Sequence, residues 1–435
     1  MLDPSWLSLS AHPIELKGVW LGAQPAADRG RAALEVQPSP CSTSMAPSRR
    51  VLMLCGDYME DYEAAVPLYA LAALGVAVDR IAPGKHPGDA CLTAVHEFLG
   101  FELYTELPGH RFAVTADFAA AAANPSRYDA LVVPGGRFAE HLSADEGAVA
   151  LVAAFAEMRR PVVLTCHSQL LLAAAGGLAG GVRCTAFFGV RPVVELAGGT
   201  WVDPEPFSLC VADGHVLSAI GWPAHAEIIA KLLAAMGARA DAGRGGQRVL
   251  VLCADYVDDY EANVPFRALA GVGCRVESAC PTKRRGEPCV TAIYDAVKPG
   301  AVSEERRGHN FVVTADWADA SADGFDCVVV PGGRAPELLV THESAVALVR
   351  EFADKGKVVA SIGQGHLLLA AAGLLRGRRC ASGVPMRVVS RLAGAEVVET
   401  EGAVADGKVV TAAGWPDLAP FVARLVDLLG ITVSF

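Results

Sequence analysis

The chain has 435 residues, a formal net charge of −11 and a hydrophobic content of 52%. Its length indicates two or three domains, and its apolar content excludes wholesale disorder. The negative charge argues against nucleic acid or an anionic membrane as a partner, and no apolar run is long enough to span a bilayer. The twelve cysteines are scattered, as in proteins of a reducing compartment, so we expect neither a disulfide framework nor a metal site.

Residues 1–48 show no clear periodicity and end in a stretch rich in proline and serine, residues 37–44. We expect a disordered extension or a little-used upstream start, because Met45 stands just before the first predicted strand. No basic start precedes an apolar core, so a secretory signal is not indicated. The acidic residues argue against an organellar transit peptide. The expected location is the cytoplasm or nucleus, with the plastid as the less favoured alternative.

From residue 51 onward, strand-like and helix-like patterns alternate. In chain order they predict strand 51–55, helix 64–74, strand 76–81, strand 131–133, helix 148–158, strand 162–164 and a helix that begins at Ser168. Such alternation predicts a parallel sheet wound on both faces, with ligands at the carboxyl ends of the strands. Three loops should meet at that edge, around Glu63, Gly135–Gly136 and Cys166.

The chain then repeats itself. Val51–Glu63 (VLMLCGDYMEDYE) returns as Val249–Glu261 (VLVLCADYVDDYE), VVPGGR at 132–137 returns at 329–334, and the Gly-Trp-Pro of 221–223 returns at 414–416. Self-similarity of this extent predicts two copies of one domain. The predicted division is an extension at 1–48, a first domain at 49–240, a glycine-rich linker at 241–247 and a second domain at 248–435.

Cys166 lies at the predicted turn between a buried strand and the helix that follows it. This strand–turn–helix context is similar to a nucleophile elbow, and it predicts a thiol near free backbone N–H groups and a positive helix end. We therefore expect a lowered pKa and a reactive thiolate. A buried structural cysteine is the alternative.

Four further residues complete the candidate site, each with a second interpretation. Glu63 could move a proton beside Cys166, or it is a helix N-terminal acid. The N–H of Gly136 could join that of His167 as an oxyanion hole, although a turn with positive φ explains the glycine equally well. The His167 imidazole could fold back towards the thiol, and Glu140 could orient it, or both are structural or solvated.

The second copy lacks the nucleophile. Alignment places Gly363 at the position of Cys166, Gln364 at that of His167 and His366 at that of Gln169, while the remaining frame is kept as Glu261, Gly333 and Glu337. Glycine has no side chain, so covalent catalysis is excluded there. We expect a structural, vestigial or ligand-binding pocket.

These motifs, in this order and twice over, resemble the DJ-1/PfpI superfamily. The chain is similar to the plant branch with two tandem domains and a degenerate second copy, homologues E and F, at Arg137-Phe138, Cys166-His-Ser-Gln169 and Ile362-Gly-Gln-Gly365. The resemblance implies an α/β fold of two tandem flavodoxin-like sandwich domains that form a pseudo-dimer. It extends over about residues 48 to 435.

The resemblance also implies roles for residues. The reactive cysteine falls on Cys166, its glutamate partner on Glu63, and the oxyanion donors on Gly136 and His167. In some members a glutamate from a neighbouring subunit completes a Cys-His pair; its position is Glu140, and Glu140 or Glu337 would then reach across an internal interface. The downstream histidine of the animal protein has no counterpart, and Phe187 stands near its place.

The implied activity is glutathione-independent glyoxalase III, which converts methylglyoxal to lactate, or a related deglycation, without a cofactor or metal. The expected partners are a small aldehyde and further copies of the chain, with three tandem chains imitating a hexamer. The alternative from another class is a redox sensor or chaperone-like stress protein with an oxidisable Cys166. A peptidase is the third and least favoured hypothesis.

Overall fold

The structure is a computed structural model that describes residues 49–99, 102–103, 106–243, 246–295, 302–399 and 402–435. The predicted extension at 1–48 lies outside the described residues, as does part of the predicted linker. Within the described ranges, no helix has both the length and the apolar character that a membrane crossing requires.

The described residues of the first repeat form thirteen strands and seven helices. Its strands are β1 (Arg49–Leu54), β2 (Val76–Ile81), β3 (Ala90–Val95), β4 (Phe98–Leu99), β5 (Glu102–Leu103), β6 (Leu107–Ala113), β7 (Ala130–Val133), β8 (Val162–Thr165), β9 (Arg183–Cys184), β10 (Thr200–Trp201), β11 (Cys210–Asp213), β12 (Val216–Ala219) and β13 (Arg239–Asp241). Its helices are α1 (Asp61–Ala73), α2 (Phe118–Ala122), α3 (Phe138–Leu142), α4 (Glu146–Glu157), α5 (Gln169–Ala174), α6 (Arg191–Leu196) and α7 (His225–Ala235), with 3₁₀ turns at Pro125–Arg127, Phe188–Val190 and Trp222–Ala224.

The second repeat follows the same plan. Its strands are β14 (Arg248–Leu252), β15 (Val257–Asp258), β16 (Arg275–Ala279), β17 (Pro288–Asp295), β18 (Glu304–Val312), β19 (Cys327–Val330), β20 (Val358–Ile362), β21 (Arg379–Ala381), β22 (Glu396–Val398), β23 (Ala403–Asp406), β24 (Val409–Ala412) and β25 (Thr432–Ser434). Its helices are α8 (Asp259–Gly271), α9 (Ala335–Leu339), α10 (Glu343–Asp354), α11 (His366–Ala371), α12 (Arg387–Leu392) and α13 (Leu418–Leu428), with 3₁₀ turns at Trp317–Asp319, Gly363–Gly365, Val384–Met386 and Trp415–Asp417.

Each repeat is built on a six-stranded sheet. The strand order is β11-β12-β8-β7-β1-β2 in the first repeat and β23-β24-β20-β19-β14-β16 in the second. The five strands from β12 to β2 run parallel, and β11 closes the edge as an antiparallel hairpin with β12. This is the flavodoxin-like order. The predicted fold class, two tandem α/β sandwich domains, is confirmed.

The central strands are apolar without alternation because helices cover both faces of each sheet. All four residues of β7 and of β8 are buried. Helix α1 begins at Asp61, three residues before the predicted start, because the side chain of Glu60 caps it by accepting the N–H of Glu63. Pattern alone does not reveal this cap, since four acidic residues occur in this segment and each suits a helix N-terminus.

The two repeats belong to one compact unit. Helix α1 packs against α8 and α13, and α7 packs against α8. The antiparallel pair β3–β6, which the sequence patterns did not predict, lies beside its counterpart β17–β18. Arg111 on β6 donates to Asp295 on β17 at 2.8 Å. The repeats therefore contact each other through buried helices and through these two arms.

Candidate active site

The three loops predicted to converge do so. Strands β8, β7 and β1 are neighbours in the sheet and run parallel, so their carboxyl ends meet at one edge. Cys166 directly follows β8, Gly135 and Gly136 follow β7, and Glu63 lies in the first turn of the helix after β1. Sheet topology thus brings together residues that are about a hundred positions apart in the chain.

Cys166 has a left-handed backbone conformation, with φ of 57°. This region costs an L-residue with a side chain roughly 1–2 kcal/mol. Two backbone hydrogen bonds hold the turn: the Cys166 N–H donates to the Ala219 carbonyl at 3.0 Å, and the Phe187 N–H donates to the Cys166 carbonyl at 3.0 Å. The surrounding structure therefore fixes a sharp turn that aims the thiol into the site.

Glu63 is a buried carboxyl group beside that thiol. Its Oε2 accepts the Gly135 N–H at 2.6 Å and the Thr165 hydroxyl at 2.5 Å. Burial and the negative charge of Glu60 raise the pKa of Glu63 to about 8. At neutral pH Glu63 is therefore largely protonated, and a proton with a pKa near the working pH moves readily in either direction.

Gly135 makes this close approach possible. A side chain at Gly135 would place its Cβ 2.3 Å from the Cβ of Cys166 and 2.6 Å from Oε2 of Glu63. The neighbouring Gly136 has φ of 96°, and a Cβ there would lie 2.5 Å from the Tyr58 carbonyl oxygen. The two glycines are therefore needed both for space and for backbone conformation.

The electrostatics of the thiol differ from the sequence prediction. Burial and the Glu63 carboxylate raise the pKa of Cys166 well above its ordinary value, while the backbone N–H groups of Gly136 and His167 lower it. The predicted lowering of this pKa is wrong, because burial and the neighbouring carboxylate outweigh the two N–H groups. The same two N–H groups lie where the oxyanion hole was expected.

His167 folds back onto the thiol. Its Nδ1 lies 3.2 Å from the Sγ of Cys166, and its ring stacks on Phe187 with centroids 5.1 Å apart. Burial lowers the pKa of His167, and the charge of Glu140 opposes that shift. The imidazole is therefore neutral at pH 7 and can accept the proton of the thiol.

Among the described residues, Glu140 makes no hydrogen bond to His167, so it does not orient the imidazole in that way. It is exposed on α3 and acts on His167 through its charge. Its counterpart Glu337, also exposed, pairs with Arg334 of its own repeat at 2.9 Å. Neither carboxylate lies on the helices that join the two repeats, so the expected reach across an internal interface is not what this structure contains.

The second repeat keeps the frame of the site without the thiol. Gly363 has φ of 55°, and a Cβ there would lie 2.8 Å from Oε2 of Glu261. That Oε2 accepts the Gly332 N–H at 2.8 Å. Burial raises the pKa of Glu261 to about 7. The second repeat therefore keeps the buried carboxyl group, the glycine pair and the turn, although it has no nucleophile.

Two side chains of the second repeat, Gln364 and His366, stand at the positions of His167 and Gln169. The Oε1 of Gln364 accepts the Gly333 N–H at 3.3 Å. This N–H, one of the two expected oxyanion donors, is therefore already hydrogen-bonded to a side chain. His366 is fully buried, with Nδ1 2.9 Å from the hydroxyl of Ser361 and Nε2 2.7 Å from the Ala381 carbonyl oxygen. Burial lowers the pKa of His366 to about 4. His366 is a structural residue of the turn.

Sequence reasoning missed four contributors to the first site. They are the Thr165 hydroxyl, the Glu60 carboxylate, the backbone N–H of Trp222, which bonds to Glu63, and the His96 ring, which acts on His167 through its charge. The repeated Gly-Trp-Pro motif was a signal for Trp222. Thr165 was visible only as the end of a strand.

A group of potential metal ligands lies elsewhere, between the repeats. Asp61, Asp259 and His309 are buried within ligand distance of one another. The carboxylate oxygens already accept hydroxyl hydrogen bonds: Tyr62 donates to Asp259 and Tyr260 donates to Asp61, each at 2.6 Å. A hydrogen-bond network thus accounts for this cluster without a metal ion.

Comparison with known proteins agrees with this architecture. The sequence profile of the DJ-1/PfpI family matches residues 49–235 and again 247–428. The chain is 51% identical to DJ-1 protein homolog E of Arabidopsis thaliana over 394 residues (89% of this chain, 98% of that protein). It is 47% identical to homolog F of the same plant over 395 residues (89% and 98%).

More distant relatives match a single repeat. Deglycase TK1284 of Thermococcus kodakarensis is 33% identical over 184 residues, which is 42% of this chain and 99% of that protein. Among solved structures, a protein of Anabaena variabilis with DJ-1/ThiJ/PfpI-like and ferritin-like domains is 28% identical, with a TM-score of 0.36 and coverage of 42% of this chain and 50% of the other. From the two profile matches and the Arabidopsis relatives, we conclude that the chain belongs to the DJ-1/PfpI family and carries its domain twice in tandem.

Proposed function

We propose that the first repeat is a glutathione-independent glyoxalase of the glyoxalase III type, which converts methylglyoxal and water to lactate at Cys166. The observation that carries the proposal is the grouping around the sulfur. It has an imidazole nitrogen at 3.2 Å, two backbone N–H groups and a buried carboxyl group whose pKa is about 8.

The first step is addition of the thiol to the aldehyde carbon. His167 accepts the thiol proton at Nδ1 as the Sγ of Cys166 forms a bond to that carbon. The carbonyl oxygen becomes an alkoxide beside the N–H groups of Gly136 and His167, which stabilise its charge. Return of the proton from His167 to this oxygen gives a neutral hemithioacetal.

The second step moves a proton between two carbons. The carboxylate of Glu63 removes the hydrogen from the carbon bonded to sulfur, and the electron pair shifts towards the neighbouring ketone oxygen to give an enediolate. The proton of the hemithioacetal hydroxyl passes to the former ketone oxygen. Glu63 returns its proton to the neighbouring carbon, which leaves a thioester of lactate. Water cleaves the thioester and releases lactate and the thiol, so the cycle needs no external oxidant or reductant.

The deglycase names of the archaeal relatives support a carbonyl substrate of this class. A deglycase would use the same thiol to attack an early adduct of an aldehyde with an amine or thiol group. The two reactions share Cys166 and Glu63, and they differ in the group that leaves.

The test is consumption of methylglyoxal without glutathione, with D- and L-lactate quantified. Wild type is compared with Cys166→Ser and with Cys184→Ser, a buried cysteine outside the site. We expect lactate from wild type and Cys184→Ser and a loss of at least about a thousandfold in Cys166→Ser. Equal lactate from Cys166→Ser and wild type would refute the proposal.

Redox sensing by Cys166 is the alternative function. Cys166 is only 7% exposed, and its raised pKa disfavours the thiolate that both peroxide oxidation and nucleophilic addition use. We rank catalysis first because His167 lies within reach of the thiol proton and the archaeal relatives are named deglycases. Intact-mass analysis after mild peroxide distinguishes the two: addition of two oxygens at Cys166, in a protein without aldehyde turnover, would favour the sensor.

A further inference from the structure

The interface between the repeats holds two copies of one hydrogen-bond motif. Tyr62 donates to Asp259 and Tyr260 donates to Asp61, each at 2.6 Å. Nδ1 of His110 lies 2.9 Å from Asp61, and His309 makes the equivalent contact with Asp259, also at 2.9 Å. Each tyrosine stacks on the histidine of the other repeat, with ring centroids 3.6 and 3.7 Å apart.

The two copies of the motif differ in the contacts of the second ring nitrogen, Nε2, of each histidine. Nε2 of His309 lies 2.7 Å from Oε1 of Glu60 in the first repeat. Nε2 of His110 is buried and has no hydrogen-bond partner among the described residues. The residue equivalent to Glu60 is Asp258, which is one methylene shorter. Both residues cap their own helix, but among the described residues only Glu60 also contacts a histidine of the other repeat.

The contact between His309 and Glu60 is connected to the candidate active site by a further hydrogen bond. The other oxygen of Glu60, Oε2, accepts the N–H of Glu63 at 2.7 Å. Glu60 therefore connects His309 of the second repeat to the carboxyl group that adjoins Cys166. Both Glu60 and His309 are at most 1% exposed, so water does not screen the charges along this path.

We propose that His309 is a positioning residue for the reaction at Cys166: it holds the Glu60 carboxylate against the N–H of Glu63 and balances the negative charge of Glu60 beside the thiol. The second repeat, which has no nucleophile, then serves the site of the first. The inference rests on the proposed function for its catalytic consequence, but its effect on the thiol can be measured without turnover.

The charges around His309 support this role. Burial disfavours its charged form, but Asp259 and Glu60 raise the pKa of His309 well above its ordinary value. The other polar and titratable groups that face it are Asp61, Tyr62 and the buried His225 on α7. In the second repeat, by contrast, burial and Glu261 raise the pKa of Asp258 well above its ordinary value.

The experiment compares His309→Gln with the matched control His110→Gln. Each substitution removes a stacked histidine and its aspartate contact, but only the first removes a contact to Glu60. Without the imidazolium, the charge of Glu60 loses its buried partner. The negative charge of Glu60 raises the pKa of Cys166, so the thiolate of Cys166 should become scarcer.

The readout is the rate of Cys166 alkylation by iodoacetamide between about pH 6 and pH 10, followed by peptide mass spectrometry. Near pH 8 we expect His309→Gln to react at least about threefold more slowly than wild type, and His110→Gln to change by less than about 1.5-fold. Equal effects in both variants, or none in either, would overturn the proposal. Glu60→Gln is the second variant if His309→Gln does not fold: it removes the negative charge that raises the pKa of Cys166 and should speed alkylation, and an unchanged or slower rate would refute the role. Absence of aldehyde turnover in wild type would refute the glyoxalase activity alone.

Discussion

Cys166 and Gly363 occupy equivalent turns of the two repeats with almost the same backbone conformation, φ of 57° and 55°. For a glycine this conformation is unstrained, whereas for a cysteine it costs roughly 1–2 kcal/mol. The strain is therefore confined to the repeat that holds the thiol. The second repeat keeps the turn and its carboxyl partner, Glu261, in a relaxed form.

Restoring the thiol in the second repeat should not by itself restore activity. In a Cys166→Ala background, we expect Gly363→Cys to give no lactate, because Gln364 still occupies the Gly333 N–H. The added Cβ would also lie 2.8 and 2.9 Å from the Glu261 oxygens, so unfolding free energy should fall by about 1–3 kcal/mol. Adding Gln364→His should free the donor and give measurable lactate; equal turnover with and without this second change would contradict the assignment of the donor.

Gly135→Ala should inactivate the enzyme. The added methyl group would lie 2.3 Å from the Cβ of Cys166 and 2.6 Å from Oε2 of Glu63, and these two groups must separate to admit it. We expect a loss of turnover of at least about a hundredfold. Gly332→Ala is the matched control, since its methyl group would lie 2.5 Å from Oε2 of Glu261. It should destabilise the chain similarly while turnover per folded molecule stays within about threefold of wild type.

Glu63→Gln should stabilise the protein at alkaline pH while it abolishes turnover. The pKa of Glu63 is raised to about 8 in the folded protein, against about 4.3 in an unfolded chain. Between these values the unfolded state binds fewer protons, so the stability of wild type falls as pH rises and levels off above about pH 8. The cost at about pH 9 is on the order of 3–5 kcal/mol. Denaturant unfolding at about pH 5 and about pH 9 checks this, and an equal gain at both values would contradict it.

Turnover should rise with pH over the same range. In the proposed reaction Glu63 acts as a carboxylate, and its pKa of about 8 means that this form grows about tenfold for each pH unit below that value. We expect kcat for methylglyoxal to increase with a slope of one up to about pH 8 and then to level. A profile that falls between about pH 6 and pH 8 would indicate that the protonated form of Glu63 is the active one.

Glu140→Gln should have a small effect. Glu140 is exposed and acts on His167 through charge alone, and solvent screens such interactions. We expect kcat/KM to change by less than about threefold, with the effect reduced further by about 0.5 M salt. Glu337→Gln, at the equivalent exposed position of the second repeat, is the control. A loss of a hundredfold in Glu140→Gln alone would show that this carboxylate contacts His167 during the reaction.

The sequence predicted the fold and the grouping of the site because both follow from strong local patterns. The Val-rich strand before Cys166 and the glycine pair after another strand identify the sheet edge, and sheet topology then joins them to Glu63. The pKa of Cys166 was not predictable in the same way, since it depends on burial and on the charge of the Glu63 carboxylate. The roles of Glu60 and Asp61 were missed for a related reason. In the sequence both are helix N-terminal acids, and only the packing of the second repeat shows that they face His309 and Tyr260.

The different lengths of Glu60 and Asp258 also bear on why the two repeats share one chain. In an assembly of two identical subunits, every substitution appears on both sides of the twofold axis, so a contact such as that between Glu60 and His309 would form twice or not at all. Tandem duplication removes that constraint, and each half can then change alone. Here the half without a thiol carries a histidine that contacts Glu60 of the other half.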